Sequence, residues 1–96
     1  MTTLPLILRK NGFTYTQVLR EGRKAIYSQT LTGNLKYFEV FIIQSRKERL
    51  FKGKMLKGGE VFPRNESFGH TAWSFRTYAQ ALINSFHIFY KYYRLL

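Results

Sequence analysis

Short apolar and aromatic runs alternate with turn residues through the first two-thirds of the chain, a pattern typical of β-strands. The first run is Leu4 to Arg9, and Asn11-Gly12 follows it as a strong turn signal. Later turns are predicted at Glu21-Gly22 and at Thr32-Gly33-Asn34. The pattern therefore predicts strands between these turns, of which the alternating Phe13 to Thr16 is the clearest part.

The strongest predicted strand is Tyr37 to Gln44, which is β-branched or aromatic at nearly every position. Glu39 is its only charge, and the apolar residues on both pleat faces indicate a central strand. Further on, Glu60 to Phe62 is a predicted last strand that closes at Pro63.

The C-terminal third changes to a helical period. Thr77 and Gln80 match a capping box, which marks the start of an amphipathic helix of about five turns. The predicted apolar stripe is Tyr78, Leu82, Phe86 with Ser85, Phe89, Tyr93 and Leu96. The predicted polar stripe is Gln80, Asn84, His87, Lys91 and Arg94.

These elements predict an α+β fold in which one long C-terminal helix packs on one face of a small antiparallel sheet of about four to five strands. The chain is predicted to be a single domain, 1–96. Within it, 1–63 is mainly β and includes a basic hairpin at 46–57, 64–76 is a connection, and 77–95 is the helix.

The stretch from Val61 to Phe75 is unusually rich in aromatic residues for a connection. We expect it to fold compactly, with Phe68, Trp73 and Phe75 against the sheet. The alternative is a loop that contacts a partner protein through an aromatic anchor.

Charge changes the picture from a generic small domain to one with a polyanionic partner. The net charge is +11 in 96 residues, with 16 Lys and Arg, five Glu and no Asp. Such an excess disfavours compact folding by self-repulsion and is typical of a protein that binds a polyanion. Six cations and one Glu lie in the stretch from Arg46 to Lys57, called the basic segment below. It is predicted to form either a hairpin or a flexible loop.

Several functional classes find little support. The chain has no Cys, and His70 and His87 lie on different predicted elements, so neither a metal site nor a catalytic arrangement is indicated. We therefore expect no enzyme activity, no cofactor and no small-molecule substrate. No apolar run is long enough to span a bilayer, and the order of charges at the N-terminus is unlike that of a signal peptide. A soluble intracellular protein without a membrane partner is predicted.

The cations predict a nucleic-acid-binding surface that neutralises backbone phosphates. The predicted nucleic-acid-binding residues are Arg46, Lys47, Arg49, Lys52, Lys54, Lys57, Arg23, Lys24, Arg9 and Lys10. The predicted stacking or protein-contact residues are Phe51, Tyr37, His70 and Trp73. A merely solvated basic face is the competing interpretation.

Three stretches together resemble small accessory proteins of bacterial phages and mobile elements. They are Lys10 to Phe13 (KNGF), Glu39 to Ile43 (EVFII) and Phe62 to Phe75 (FPRNESFGHTAWSF). Such small, folded, non-catalytic phage proteins often inhibit host defence, including CRISPR–Cas effectors. By that analogy the chain is a candidate anti-CRISPR protein that acts in the cytoplasm of a bacterial host cell.

Two functions follow as hypotheses. In the first, the chain inhibits a host RNA-guided nucleoprotein by engaging its guide or target nucleic acid, or the channel that holds it. In the second, it is a stand-alone nucleic-acid-binding accessory or regulatory protein. The predicted partners are nucleic acid, with RNA favoured over DNA, a host CRISPR–Cas effector, or both.

Overall fold

The computed structural model describes residues 3–94, with side chains for 3–88 and 90. The strands are β1 (Ile7–Lys10), β2 (Phe13–Glu21), β3 (Lys24–Leu31), β4 (Asn34–Ile42), β5 (Gln44–Arg46), β6 (Arg49–Phe51), β7 (Lys54–Leu56), β8 (Gly59–Val61) and β9 (Ala72–Phe75). A short 3-10 turn covers Asn65–Ser67, and helix α1 spans Tyr78–Arg94.

Five strands form an antiparallel sheet in the order β1-β2-β3-β4-β9, and α1 packs against one of its faces. The predicted α+β class is thus confirmed. The turns at Asn11-Gly12 and Thr32-Gly33 have positive φ at both residues, which matches the twist of two-residue hairpins. The β1–β2 and β3–β4 hairpins therefore turn at one end of the sheet, and the β2–β3 hairpin turns at the other.

Strand β9 was not predicted, because its four residues fall inside the stretch expected to be a connection. It pairs with β4, with Phe41 opposite Ala72 and Phe38 opposite Phe75. Strand β4 consequently lies between β3 and β9, and its two apolar faces are covered by α1 on one side and by Phe62 and Phe68 on the other. The segment before β9 covers the sheet face opposite α1, here called the loop face.

Aromatic rings fill the loop face around Tyr27, which is fully buried. Its ring lies 5.5 Å from that of Phe41 and 5.2 Å from that of Phe62, measured between centroids. The Tyr27 hydroxyl donates to the carbonyl oxygen of Pro5 at 2.6 Å and accepts from Gln17 at 2.9 Å. Large rings with satisfied polar ends give this short chain a core despite its charge. Phe68 also packs here, as expected.

Helix α1 is rotated from the predicted orientation. Ala81 and Ser85 are completely buried against the sheet, whereas Phe86, assigned to the apolar stripe, is 57% exposed. Two small residues let the helix backbone approach the sheet closely, and the Ser85 hydroxyl is satisfied by the carbonyl oxygen of Leu82 at 2.7 Å. The remaining apolar positions of the prediction, Phe89, Tyr93 and Leu96, and the polar positions Lys91 and Arg94 lie outside the described side chains.

The start of α1 carries half of the predicted capping box. The backbone N–H of Gln80 donates to the hydroxyl of Thr77 at 3.1 Å. Within the described residues, no reciprocal bond from the Gln80 side chain to Thr77 is present. Over residues 3–94, no helix is both long and apolar enough to cross a membrane.

A buried carboxylate interrupts the loop face. Glu39 is 5% exposed between its strand partners Tyr27 and Ser74, and its Oε2 atom has no hydrogen-bond partner among the described residues. Burial raises the pKa of Glu39 from 4.5 to about 7, against a smaller opposing effect of Lys10. The side chain is therefore accommodated best in its neutral form.

Replacement of Glu39 by Gln should remove a pH dependence of stability. Because the folded-state pKa is raised, the contribution of Glu39 is full below about pH 4.5 and is lost as the pH rises through about 7. Glu39→Gln is expected to increase the free energy of unfolding by on the order of 2–3 kcal/mol at about pH 8 and to change it little at about pH 4. Urea unfolding at both pH values measures the difference. Glu48→Gln, on an exposed residue, controls for the lost charge, and an equal effect at both pH values would contradict the assignment.

Candidate nucleic-acid interface

The basic segment forms a folded projection, here called the arm and defined as residues 44–61. At its base β5 pairs with β8, and at its tip β6 pairs with β7. The tip turns at Lys52-Gly53, whose φ angles of 49° and 77° match those of the other two-residue hairpins. A lysine in the left-handed region is uncommon, since its Cβ disfavours that conformation. The arm is thus an ordered hairpin with a cation at its tip.

The six cations of the basic segment are exposed. Among residues 3–94, ion pairs are found for Arg20 with Glu60 and for Lys24 with Glu21, and neither involves these six. The cations that the arm presents to solvent are Arg46, Lys47, Arg49, Lys52, Lys54 and Lys57. Their charges are not neutralised by carboxylates of the described chain, so they remain available to phosphates.

The tip of the arm has two chemically different faces. Alternation along β6 puts Arg49 and Phe51 on one face and Leu50 on the other, where Met55 is its cross-strand partner. The guanidinium of Arg49 lies 5.7 Å from the centre of the Phe51 ring, and the ammonium of Lys52 lies 5.4 Å from it. Leu50 and Met55 are 69% and 58% exposed. One face is cationic and aromatic, and the opposite face is apolar.

An ion pair attaches the arm to the sheet. Arg20 of β2 makes two bonds, of 2.5 and 2.6 Å, to the two carboxylate oxygens of Glu60 on β8. The same carboxylate accepts from the backbone N–H of Leu4 at 3.0 Å. The bond from Arg20, with a smaller effect from Leu4, lowers the pKa of Glu60 to about 2. This bidentate geometry fixes the direction of the arm.

Two of the predicted binding residues have structural roles near the arm. The Arg23 guanidinium donates to the carbonyl oxygen of Ile43 at 3.0 and 3.2 Å, so Arg23 holds the point where the chain leaves β4. Lys24 is only 4% exposed, which corrects its assignment to the binding surface. Its ammonium lies 3.8 Å from the Glu21 carboxylate and 4.3 Å from the Phe86 ring centre.

Three other predicted residues lie at the far end of the sheet. Arg9 and Lys10 precede the β1–β2 turn, and Tyr37 lies near the start of β4. The register puts these residues at the end opposite the β4–arm junction. The backbone of these residues therefore lies away from the tip of the arm. The Lys10 side chain nevertheless reaches towards the base of the arm, because its ammonium lies 6.0 Å from the centre of the ring of Phe62, the residue that follows the arm.

The last two predicted contact residues differ in accessibility. His70 is exposed in the turn before β9, near the arm, because the neighbouring Thr71 accepts a backbone bond from Ile42 at 2.9 Å. Trp73 is half-buried on β9 opposite Val40. The structure thus brings together Phe51 and the six cations, and leaves Tyr37 and Trp73 apart from them.

Sequence reasoning missed the residues that hold the arm. Arg20 and Glu60 are 40 positions apart, and no spacing rule pairs them. The apolar tip face could have been found, since Leu50 and Met55 are symmetrically placed about the Lys52-Gly53 turn.

Comparisons of the chain with protein-family models, with curated proteins and with solved structures find no match. The resemblance to phage accessory proteins therefore stays a prediction. The interpretation of the site rests on its own geometry and charge.

Gly58 should be essential to the shape of the arm. A Cβ atom there would lie 2.6 Å from the backbone oxygen of Arg46 and 2.7 Å from the backbone nitrogen of Glu48. Gly58→Ala is expected to force the strands apart and to cost about 1–3 kcal/mol. Amide hydrogen exchange should show lost protection in the arm. Ser45→Ala, on an exposed residue of β5, is the control, and unchanged arm amides in Gly58→Ala would contradict the close approach.

Loss of the Glu60 carboxylate should loosen the base of the arm. Because the folded-state pKa is lowered, the contribution of Glu60 is present above about pH 4.5 and is lost as the pH falls towards about 2. Glu60→Gln at neutral pH is expected to cost about 1–3 kcal/mol, which thermal unfolding measures. Glu66→Gln, on an exposed residue, is the matched control. Equal stability of the two variants would show that the ion pair contributes nothing.

Proposed function

We propose that this chain is a non-catalytic protein that binds a nucleoprotein through its arm. The arm places cations along the nucleic-acid backbone and presents its apolar face to the protein that holds that nucleic acid. In the specific case that the resemblance favours, the target is a host RNA-guided defence effector in the bacterial cytoplasm. The chain then acts as a stoichiometric inhibitor.

One observation carries the nucleic-acid part of the proposal. Six exposed cations, without carboxylate partners in the described chain, lie on an ordered hairpin anchored by Arg20 and Glu60. An anchored hairpin presents its charges without the loss of conformational entropy that ordering a flexible basic loop upon binding requires. Phe51 offers an exposed ring next to these charges, and exposed rings stack on bases irrespective of sequence.

The second face of the tip supports a nucleoprotein over bare nucleic acid. Leu50 and Met55 are large, exposed and apolar, and a phosphate backbone offers nothing for them to bind. A protein surface beside the nucleic acid does. The stand-alone nucleic-acid-binding protein stays the second candidate, supported by the cations alone.

The tip lysine allows binding to be separated from folding. Asn-Gly suits the observed turn better than Lys-Gly, so Lys52→Asn should keep the hairpin while it removes one charge. We expect unchanged thermal stability and severalfold weaker binding of RNA, with the slope of log affinity against log salt reduced in magnitude by about 1. Fluorescence anisotropy across a salt series measures both quantities. The control is Lys36→Gln, which removes the same charge from an exposed residue of β4 near the Thr32-Gly33 turn.

Purified effectors distinguish the two candidate functions. Tight binding to an RNA-guided effector with its guide, together with weak binding to bare RNA and DNA, supports the nucleoprotein. Leu50→Ser should then weaken binding to the effector and leave binding to bare RNA unchanged. Strong, salt-sensitive binding to any bare nucleic acid supports the second candidate. A further variant replaces five cations of the arm by Gln, at Arg46, Lys47, Arg49, Lys52 and Lys54. If this variant binds both the effector and bare nucleic acid as tightly as the unchanged protein does, the arm is only a solvated basic surface.

A further inference from the structure

A small surface pocket lies where the arm joins the sheet. Its volume is about 80 Å³, and its apolar wall is formed by Val61, Phe62 and Pro63. Pockets that enclose a whole small-molecule ligand measure roughly 300–1,000 Å³. This pocket therefore has room for one inserted ring and leaves the rest of its ligand outside. Phe62 is held in place by ring contacts to Tyr15 at 4.8 Å and Phe41 at 5.1 Å.

The other residues that line the pocket combine donors with acceptors. Gln44 donates through its Nε2 atom to the carbonyl oxygen of Ile42 at 3.2 Å, which leaves its Oε1 atom as an acceptor. Arg64, Ser67 and Thr71 are the other polar residues of the lining. Among the described residues, no side-chain bond engages the guanidinium of Arg64 or the two hydroxyls. Three polar side chains at the pocket are thus without internal partners.

This mixture suits a nucleobase better than a phosphate. An ionised phosphate only accepts hydrogen bonds, so it would bind Arg64 and the two hydroxyls but would leave the Gln44 acceptor without a donor. The edge of a base both donates and accepts, and its ring faces pack on apolar or aromatic groups. Gln44 provides an acceptor beside the Ser67 and Thr71 hydroxyls, and Phe62 and Pro63 provide the apolar wall.

The pocket is continuous with the cations of the arm. Gln44 and Arg46 are two residues apart on β5, so their side chains lie on the same face of the strand. Val61, the cross-strand partner of Gln44, lies on this face as well. Glu60 points to the other side, where it binds Arg20. A nucleic-acid strand that inserts one nucleobase into the pocket would therefore have its phosphates next to Arg46.

We propose that this pocket takes one unpaired nucleobase of a single strand whose backbone lies along the arm. The inference rests on the proposed function, since the arm must first bind nucleic acid. A base inside a duplex has its edge paired and its faces stacked, and extracting it costs a few kcal/mol. The pocket consequently makes the protein selective for single strands, whereas the cations alone do not distinguish strands from duplexes.

The test compares single-stranded RNA of about 12 nucleotides with the duplex of the same sequence. The double variant Ser67→Ala/Thr71→Val removes both hydroxyls at nearly constant volume. We expect it to weaken binding of the single strand by about tenfold and to leave duplex binding unchanged. Ser45→Ala removes a hydroxyl from the other face of β5 and is the matched control. Thermal unfolding establishes that both variants fold.

The outcomes separate this inference from the function on which it rests. If Ser67→Ala/Thr71→Val weakens binding of the single strand and of the duplex equally, or weakens neither, the pocket does not bind a nucleobase. The nucleobase proposal is also overturned if inorganic phosphate, at constant ionic strength, competes with the single-stranded RNA while uridine and adenosine do not. That result would identify the pocket as an anion site. Lys52→Asn should weaken strand and duplex alike. If it weakens neither, the proposed function itself fails, whatever the pocket variant does.

Discussion

The ion pair between Arg20 and Glu60 determines what the rest of this molecule is able to do. The net charge of the chain is +11, and six of its cations lie on the arm. Repulsion among these cations favours an arm that is not held against the rest of the molecule. The Glu60 carboxylate accepts hydrogen bonds from the Arg20 guanidinium and from the backbone N–H of Leu4, and it thereby holds the base of the arm against the sheet. Without that anchor, the cations would still attract a polyanion, but they would not present it with a fixed geometry.

Local sequence rules succeeded where structure is local. Asn11-Gly12 and Thr32-Gly33 form turns with positive φ, a conformation that Gly adopts easily, so the Gly residues marked these turns in the sequence. The apolar alternation between the turns predicted the strands. Strand β9 was missed because it has only four residues and its partner β4 lies some 30 residues earlier, beyond the reach of a local pattern.

The misplaced residues show a different limit. Arg23 and Lys24 are neighbours, yet Arg23 is exposed in the turn before β3, whereas Lys24, the first residue of β3, is covered by Phe86. The local sequence does not say which face of β3 a helix will cover. In α1, apolarity favoured Phe86 for the core, while close packing required the small Ser85. The pocket depends on such long-range placement entirely. Gln44 and Thr71 are 27 positions apart, and nothing in the intervening residues announces their proximity.

The pairing of Gln44 with Val61 has a consequence for how this protein can change. Where these residues meet, the chain enters and leaves the arm within a single strand spacing, so the arm is an insertion between β4 and the segment that leads to β9. Among the described residues, the tip contributes none to either hydrophobic core. An insertion of this kind can be lengthened, recharged or exchanged while the host fold stays intact, because a longer closed loop adds little entropic cost. The tip can thereby change with the partner, while Glu60 and Gly58 at the base keep the arm in place.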